Sequence, residues 1–499
     1  MSNENTRKVD GNDANSVERL FRIKENGSSI RTELLAGLTT FMTMAYIIAL
    51  NPNLLTGFAV GTPLWNGVFL ATCIASGLGT MCMAFLANKP FVMAPGMGLN
   101  SFFATVVANI VVLNGYEGDG AYTDAFQAAL CIILVEGIVF LILSFLNVRE
   151  KIVDAIPLGV RLGIGPAIGL MLMNIGFGSN AGVYDDNGNA YYTMKDFFGA
   201  MMPKMLRDSM EGEVTGNDAY NKLVLTAATM VIGVFVIALL AKRGVKAAVL
   251  LGMLDAAVLY WAGEAIFLKV NPFESLKTAS FVPPFKDMVK TTLFKFDFKG
   301  FFDIGIFTAL TLIITFCMID MFDTIGTLVG TASRAGMVDS EGKMPKMKEA
   351  LISDAVGTVA GACSGTSTVT TFVESASGVE AGGRTGLTAF TAGFMFLLCI
   401  FIAPIAAIIP APATSSALIY VGIIMLQGLK KINFDDMDQV VPVFIMLLAM
   451  PISGSIGHGI GLAMISYTVL KLFVGETKDV SFLTLFISAL FLVKFFVII

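Results

Sequence analysis

"KPFVMAPGMGLNSFF", residues 89–103, decides the fold of this chain. Pro90, Pro95, Gly96 and Gly98 stop a continuous helix between Lys89 and Asn100, yet apolar sequence lies on both sides. A second segment, "GTSTVTTFVESASG" (365–378), is rich in β-branched and small residues and reads as extended chain followed by helix. Non-helical backbone within a bilayer is tolerated only where it is buried in protein or lines a cavity. Two half-helices starting at membrane depth offer free N–H groups, and their dipoles favour electron-rich or negative groups. The expectation is a polar binding site at the two helix breaks.

The bilayer itself is read from composition. Of 499 residues 55% are hydrophobic and 14% charged, against roughly 25% charged in soluble domains, and mean hydropathy is +0.77. Apolar runs of about 20 residues, the length that crosses a hydrocarbon core as helix, recur from Leu34 to the C-terminus. They give about fourteen candidate spans, from 34–56 through 66–88 and 91–113 to 440–473 and 480–498. Pro451, Gly454, Gly457, Gly459 and Gly461 interrupt 440–473, which leaves one broken span or two.

Residues 1–33 are polar and carry no signal-peptide pattern. Residues 1–18 read as a disordered tail, and 19–33 as an approach to the first helix at the cytoplasmic surface. Lys242, Arg243 and Lys246, Arg149 and Lys151, Arg334 with Lys343 to Lys348, and Lys430 with Lys431 fit the cytoplasmic side. Segments 114–124 and 178–220 are acidic and fit outside. Segment 269–300 holds six lysines yet must be external if the count is right.

Two internal echoes point to inverted repeats. "IPLGVRLGIGPAIGLML" carries Gly169 twelve residues after Pro157, and "IPAPATSSALIYVGIIML" carries Gly422 twelve after Pro410. "CIASGLGT" (73–80) matches "LISDAVGT" (351–358). Both echoes run in the same order in the two halves.

"TFCMIDMFDTIGTLVG" (315–330) places Asp320 and Asp323 on one helix face. Each would cost about 2.5–3.5 kcal/mol if it faced lipid at the midplane, so both must face protein or water. A carboxylate in a desolvated cavity gains proton affinity, which suits proton-coupled transport. Asp320 and Glu374 are the leading candidates. Asp323 and Asp354 fall between ligand contact and site support, and Glu136 reads as a structural hydrogen-bonder. The six cysteines stand alone inside apolar segments without metal-ligand spacing and read as core residues. No HExxH or GxSxG motif argues for an enzyme, and nothing suggests nucleic-acid binding.

"MTMAYIIALNP" (42–52), "MAPGMGLNSFF" (93–103), "FDTIGTLVG" (322–330) and "GTSTVTTFVESASGVEAGGRTGLT" (365–388) resemble the purine permeases of the hypoxanthine, guanine and adenine branch. These are relatives of the xanthine and uracil permeases and the nucleobase–ascorbate transporters. The resemblance implies an all-α polytopic membrane protein of seven plus seven spans in inverted repeats. It implies core-domain segments at 34–146 and 303–409, gate-domain segments at 147–268 and 410–499, and an external loop at 269–302. Short antiparallel strands in spans 3 and 10 are implied to meet at the substrate site. The implied activity is proton symport of a purine nucleobase into the cell across the plasma membrane, with the N-terminus cytoplasmic and no cofactor. Asp320 and Glu374 are implied to bind the base and couple the proton, with Asn100, Gly98, Thr371 and Phe372 beside them and Asp323 and Asp354 in support. Phe372 stands where relatives often have tyrosine, and Ser377 where they often have alanine. Homodimers occur in the broader family, and no segment here marks a dimer face. A xanthine or uracil permease, or an anion transporter on the same fold, remains the alternative.

Overall fold

The computed structural model describes residues 16–57, 59–118, 120–146, 157–177, 216–277, 280–334, 337, 344–453 and 456–497. Among these, ten helices are long and apolar enough to cross a membrane, and Met97–Leu113, Met437–Ser453 and Phe482–Val493 are shorter apolar helices. The chain is a multi-pass membrane protein. Helices dominate because a bilayer offers no water to backbone N–H and C=O groups, so each segment must satisfy its own. The one sheet among the described residues has two strands, β1 (Met93–Pro95) and β2 (Val369–Thr371).

Several boundaries differ from the sequence reading for identifiable reasons. The first span divides into helices Ile30–Met44 and Ile47–Leu55, with a turn at Ala45 and Tyr46 between them. Residues 16–18, expected in the disordered tail, belong to helix Ser16–Phe21. Phe21 and Ile23 bury there against Ala84, Leu387 and Ala389, which gives the approach segment a core of its own. Residues 1–15 lie outside the described residues, as do 178–215 of the expected loop 178–220; helix Gly216–Lys242 begins inside that expected loop. Segment 269–302 is more than a loop. Its helix Phe285–Thr291 packs on Pro63–Cys82, and Asp297 caps helix Phe298–Asp303 by accepting from Gly300 N at 3.0 Å.

The two sequence echoes mark the axis that relates the halves. Helices Pro63–Cys82 and Met347–Ser364 pack together, and a Cβ on Gly79 would sit 3.3 Å from Gly357 Cα. A Cβ on Gly169 would lie 2.6 Å from Gly422 O, and one on Gly422 would lie 2.5 Å from Gly169 O. In both echoes the matched glycines therefore face each other, which small residues allow in membrane helix packing. The other contacts follow the same exchange. Ala121–Phe145 packs on Met347–Ser364 as Gly386–Leu398 packs on Pro63–Cys82, and Gly216–Lys242 packs on Ala411–Met425 as Met437–Ser453 packs on Leu158–Phe177.

This exchange resolves the ambiguous 440–473. It comprises two helices, Met437–Ser453 and Ile456–Val474, packed on each other as Gly216–Lys242 packs on Ala248–Gly263. The helix expected as the last span, Phe482–Val497, thus lies beyond the repeat and packs on Ile456–Val474.

The glycine contact gives a direct test. Gly422→Ala places a methyl group against the Gly169 carbonyl, a backbone atom that cannot rotate away. The expected cost is about 1–3 kcal/mol, read as a lower melting temperature in detergent; an unchanged melting temperature would show that the helices do not meet at this point.

Candidate substrate site

Pairing is antiparallel, with Met93 opposite Thr371, Ala94 opposite Thr370 and Pro95 opposite Val369. Flanking bonds extend it: Phe372 N donates to Val92 O at 3.0 Å and Gly96 N to Thr368 O at 3.1 Å. Pro95 has no N–H, and Val369, Thr370 and Thr371 are β-branched, so both stretches favour extended chain. Each strand is also held from behind. Thr80 Oγ1 accepts from Met93 N at 2.9 Å and lies 3.1 Å from Met93 O, and Thr358 Oγ1 donates to Val369 O at 3.2 Å. Thr80 and Thr358 are the final residues of the second sequence echo, so the repeat supplies each strand with a threonine clamp.

Helix resumes at Met97 after β1 and at Ser375 after β2. Asn100, expected at the end of the break, already lies in the first helical turn, its N–H donating to Gly96 O at 2.8 Å. The N–H groups of Met97, Gly98 and Leu99, ahead of that first bond, have no partner within the helix. They start at a cavity of about 100 Å³. Gly96, Met97 and Gly98 form one wall, and Thr371, Phe372, Val373 and Glu374 form the facing wall. Asp323 and Thr327 enter from Ile306–Arg334, Tyr46 from the turn in the first span, and Val421 and Met425 from Ala411–Met425. Gly98 is required here by proximity, since a Cβ would meet Ile168 Cγ2 at 2.7 Å.

The polar groups are unevenly satisfied. Glu374 Oε1 accepts from the Tyr46 hydroxyl at 3.0 Å, while Glu374 Oε2 and Thr371 Oγ1 are buried with no hydrogen-bond partner. Such orphaned polar atoms are costly without a ligand. The arrangement can therefore accept N–H donors at Glu374 and Asp323, donate from Thr371, and stack a flat apolar ring near Phe372.

Gly98, Thr371, Phe372, Glu374 and Asp323 come together at the cavity; Asp320, Asn100 and Asp354 do not line it. Asp320 is fully buried and accepts from Thr324 Oγ1 at 3.1 Å. The same hydroxyl lies 2.9 Å from Asp354 Oδ2 and 2.6 Å from Thr370 Oγ1. Asp354 Oδ1 accepts from Thr370 Oγ1 at 3.2 Å and from Thr371 N at 3.3 Å. Asp354 thus fastens β2 to its supporting helix from behind, and Asp320 bonds the Thr324 hydroxyl that reaches Thr370. Asn100 Nδ2 donates to Pro95 O at 3.3 Å, and its Oδ1 accepts from Ser367 Oγ. Glu136 Oε2 accepts from Thr368 Oγ1 at 2.8 Å, the structural part read for it from sequence.

The turn downstream of Glu374 is held by a carboxylate from the first span. Glu33, fully buried, accepts from Arg384 N at 2.9 Å, Thr385 N at 3.2 Å and Thr388 Oγ1 at 2.6 Å. It closes the turn before Gly386–Leu398 and ties that turn to the first span.

Tyr46, Thr327, Val421 and Met425 were not singled out by sequence. Tyr46 had a usable signal, a phenol in an otherwise apolar run just before "NP". Val421 and Met425 had none, being ordinary apolar residues of a membrane helix. Among the described residues, no group of three or more His, Cys, Asp or Glu side chains is placed to hold a metal ion.

The Asn100 contacts carry a prediction. Asn100→Ala leaves Pro95 O and the Ser367 hydroxyl without these partners, at a cost of about 1–3 kcal/mol for each orphaned group. The thermal midpoint should fall, and a variant as stable as the parent would show that these two bonds do not hold the crossing.

Comparison with known proteins agrees with this architecture. The profile of a permease family, Xan_ur_permease, matches residues 31–207 and 200–462. The adenine permease AdeP of Escherichia coli is 36% identical over 99% of this chain and 98% of its own length. The guanine/hypoxanthine permease PbuO of Bacillus subtilis is 34% identical over 96% of this chain and 100% of its own length. Among solved structures, the transmembrane domain of the cyanobacterial bicarbonate transporter BicA superposes with TM-score 0.54 at 15% identity, covering 87% of this chain and 96% of that one. The murine anion transporter Slc26a9 superposes with TM-score 0.56 at 13% identity, covering 89% and 68%. At that identity the two structures speak for the fold alone, an inverted repeat with core and gate parts. Near full-length relatives and the family profile together make this chain a member of the xanthine/uracil permease family.

Proposed function

We propose that this protein imports purine nucleobases, adenine, guanine or hypoxanthine, by proton symport with alternating access. The observation that carries the reading is the Glu374 carboxylate, with an unpartnered Oε2 in a cavity shared with Asp323, Thr371 and Phe372. A neutral purine presents ring N–H donors beside carbonyl or ring-nitrogen acceptors on one flat body. Carboxylates, a hydroxyl and helix-start amides answer those edges, and the names of the near full-length relatives favour the same bases.

In this reading Asp323 and Glu374 contact the base, and Asp320 and Asp354 hold β2 in place. A carboxylate is expensive to carry across the hydrocarbon region as an anion. Neutralisation by a proton removes that cost, which couples the loaded site's movement to proton entry. Tyr46, both strands and Asp323 belong to the core, 34–146 with 303–409. Val421 and Met425 belong to the gate, 147–268 with 410–499, so the cavity opens when one part moves against the other. In this reading the protein resides in the plasma membrane with its N-terminus cytoplasmic, and a homodimer is the assembly to look for. The same fold serves anion transporters, but two acids lining the cavity repel such a substrate.

The test is uptake of radiolabelled adenine, guanine, hypoxanthine, xanthine and uracil into cells lacking their own permeases, with and without a protonophore. Protonophore-sensitive uptake of one of the first three is expected. Uptake of xanthine or uracil instead would correct the substrate, and uptake of none in well-expressing cells would end the nucleobase reading. Glu374→Gln and Asp323→Asn should each reduce accumulation to near background with normal amounts of folded protein. Asp320→Asn should chiefly lower the folded yield; a well-folded Asp320→Asn protein with no transport would move that residue into the site.

A further inference from the structure

We propose that Tyr46 is a positioning residue: its phenol holds one oxygen of the Glu374 carboxylate so that the other faces the bound ligand. The identity of that ligand rests on the nucleobase reading above. Tyr46 is fully buried, lines the cavity and donates to Glu374 Oε1 at 3.0 Å. The remaining oxygen, Oε2, is buried without a hydrogen-bond partner. One oxygen is spent on the protein and one is kept for what enters.

The need for such a tether follows from glutamate itself. Its terminal torsion is broad and roughly two-fold, so an untethered carboxylate would present its edge in many directions. Precise binding requires the orientation to be settled before the ligand arrives. Tyr46 is itself firmly placed. Its turn joins two helices, and the first of them, Ile30–Met44, packs directly on Ser375–Glu380, the short helix that Glu374 precedes. Thr43 Oγ1 lies 3.1 Å from Ser377 Oγ, and a Cβ on Gly378 would meet Thr40 Oγ1 at 2.1 Å. Ser377 Oγ in turn donates to Glu374 O at 2.7 Å. Donor and acceptor therefore sit on two elements in close contact, and the bond between them is geometrically determined.

Ser377 gains a reason from this arrangement. It bridges the backbone of Glu374 to Thr43, three residues before Tyr46, so its hydroxyl supports the same pairing from the other side.

Tyr46→Phe tests the proposal because it keeps the ring and removes only the donor. In purified protein that passes size exclusion, two quantities are read: uptake kinetics after reconstitution, and the rate at which a hydrophobic carbodiimide modifies Glu374, followed by peptide mass spectrometry. The expected result is a KM for the transported base raised about tenfold with Vmax unchanged, together with several-fold faster modification of the released carboxylate. Unchanged KM and unchanged modification overturn the proposal, and so does a fall in Vmax alone. A raised KM with unchanged modification makes Tyr46 a direct ligand contact and also overturns it. If the parent protein moves no nucleobase, the transport reading fails, and the modification rate alone decides the inference.

Discussion

Everything at the centre of this protein depends on a three-residue antiparallel pairing between β1 and β2. Extended backbone inside a bilayer must find partners within the protein, and a ladder this short leaves most of its groups to side chains. Thr80 and Thr358 serve the two strands in corresponding ways. Asn100, Ser367, Thr368 and Glu136 secure the chain around the crossing, and the Asp320–Thr324–Asp354 group fastens β2. Buried polar networks stabilise only when their members are satisfied. This one uses carboxylates for that purpose, and of its buried atoms without a hydrogen-bond partner, Glu374 Oε2 and Thr371 Oγ1 belong to residues that line the cavity.

The same crossing explains why the two halves resemble each other. An inverted repeat brings two equivalent breaks to one place from opposite sides of the membrane. The glycines that meet across the axis, Gly79 with Gly357 and Gly169 with Gly422, let the repeats approach closely. The function-bearing differences sit just beyond the symmetric part. After β1 come Gly96 and Gly98, which make room; after β2 come Phe372 and Glu374, which line the facing wall of the cavity.

Much of this was legible in the sequence because membrane constraints are severe. Proline and glycine inside an apolar run have few explanations, so the break at 90–98 and the matching stretch at 365–371 could be read, as could the burial of the acids. What could not be read was which of the eighth-span acids faces the cavity. Asp320 and Asp323 lie on one helix face by spacing alone, and their places separate only when Thr324 joins Asp320 to Asp354 and Thr370 while Asp323 lines the cavity. Helix number at 440–473 was also hidden, since glycines and prolines mark a weak point without saying whether the chain kinks or turns back. Val421 and Met425 carry no chemical signature, and only the packing of Ala411–Met425 brings them to the cavity.

We propose that the transported base binds in the cavity at the strand crossing, with Glu374 and Asp323 on its walls. The most direct measurement is an experimental structure, by electron cryomicroscopy, of the protein with the base identified by uptake. A flat density is expected between the start of Met97–Leu113 and Phe372, with an edge within hydrogen-bond distance of Glu374 Oε2 and of Asp323. A base bound elsewhere, with both carboxylates beyond contact, would contradict it.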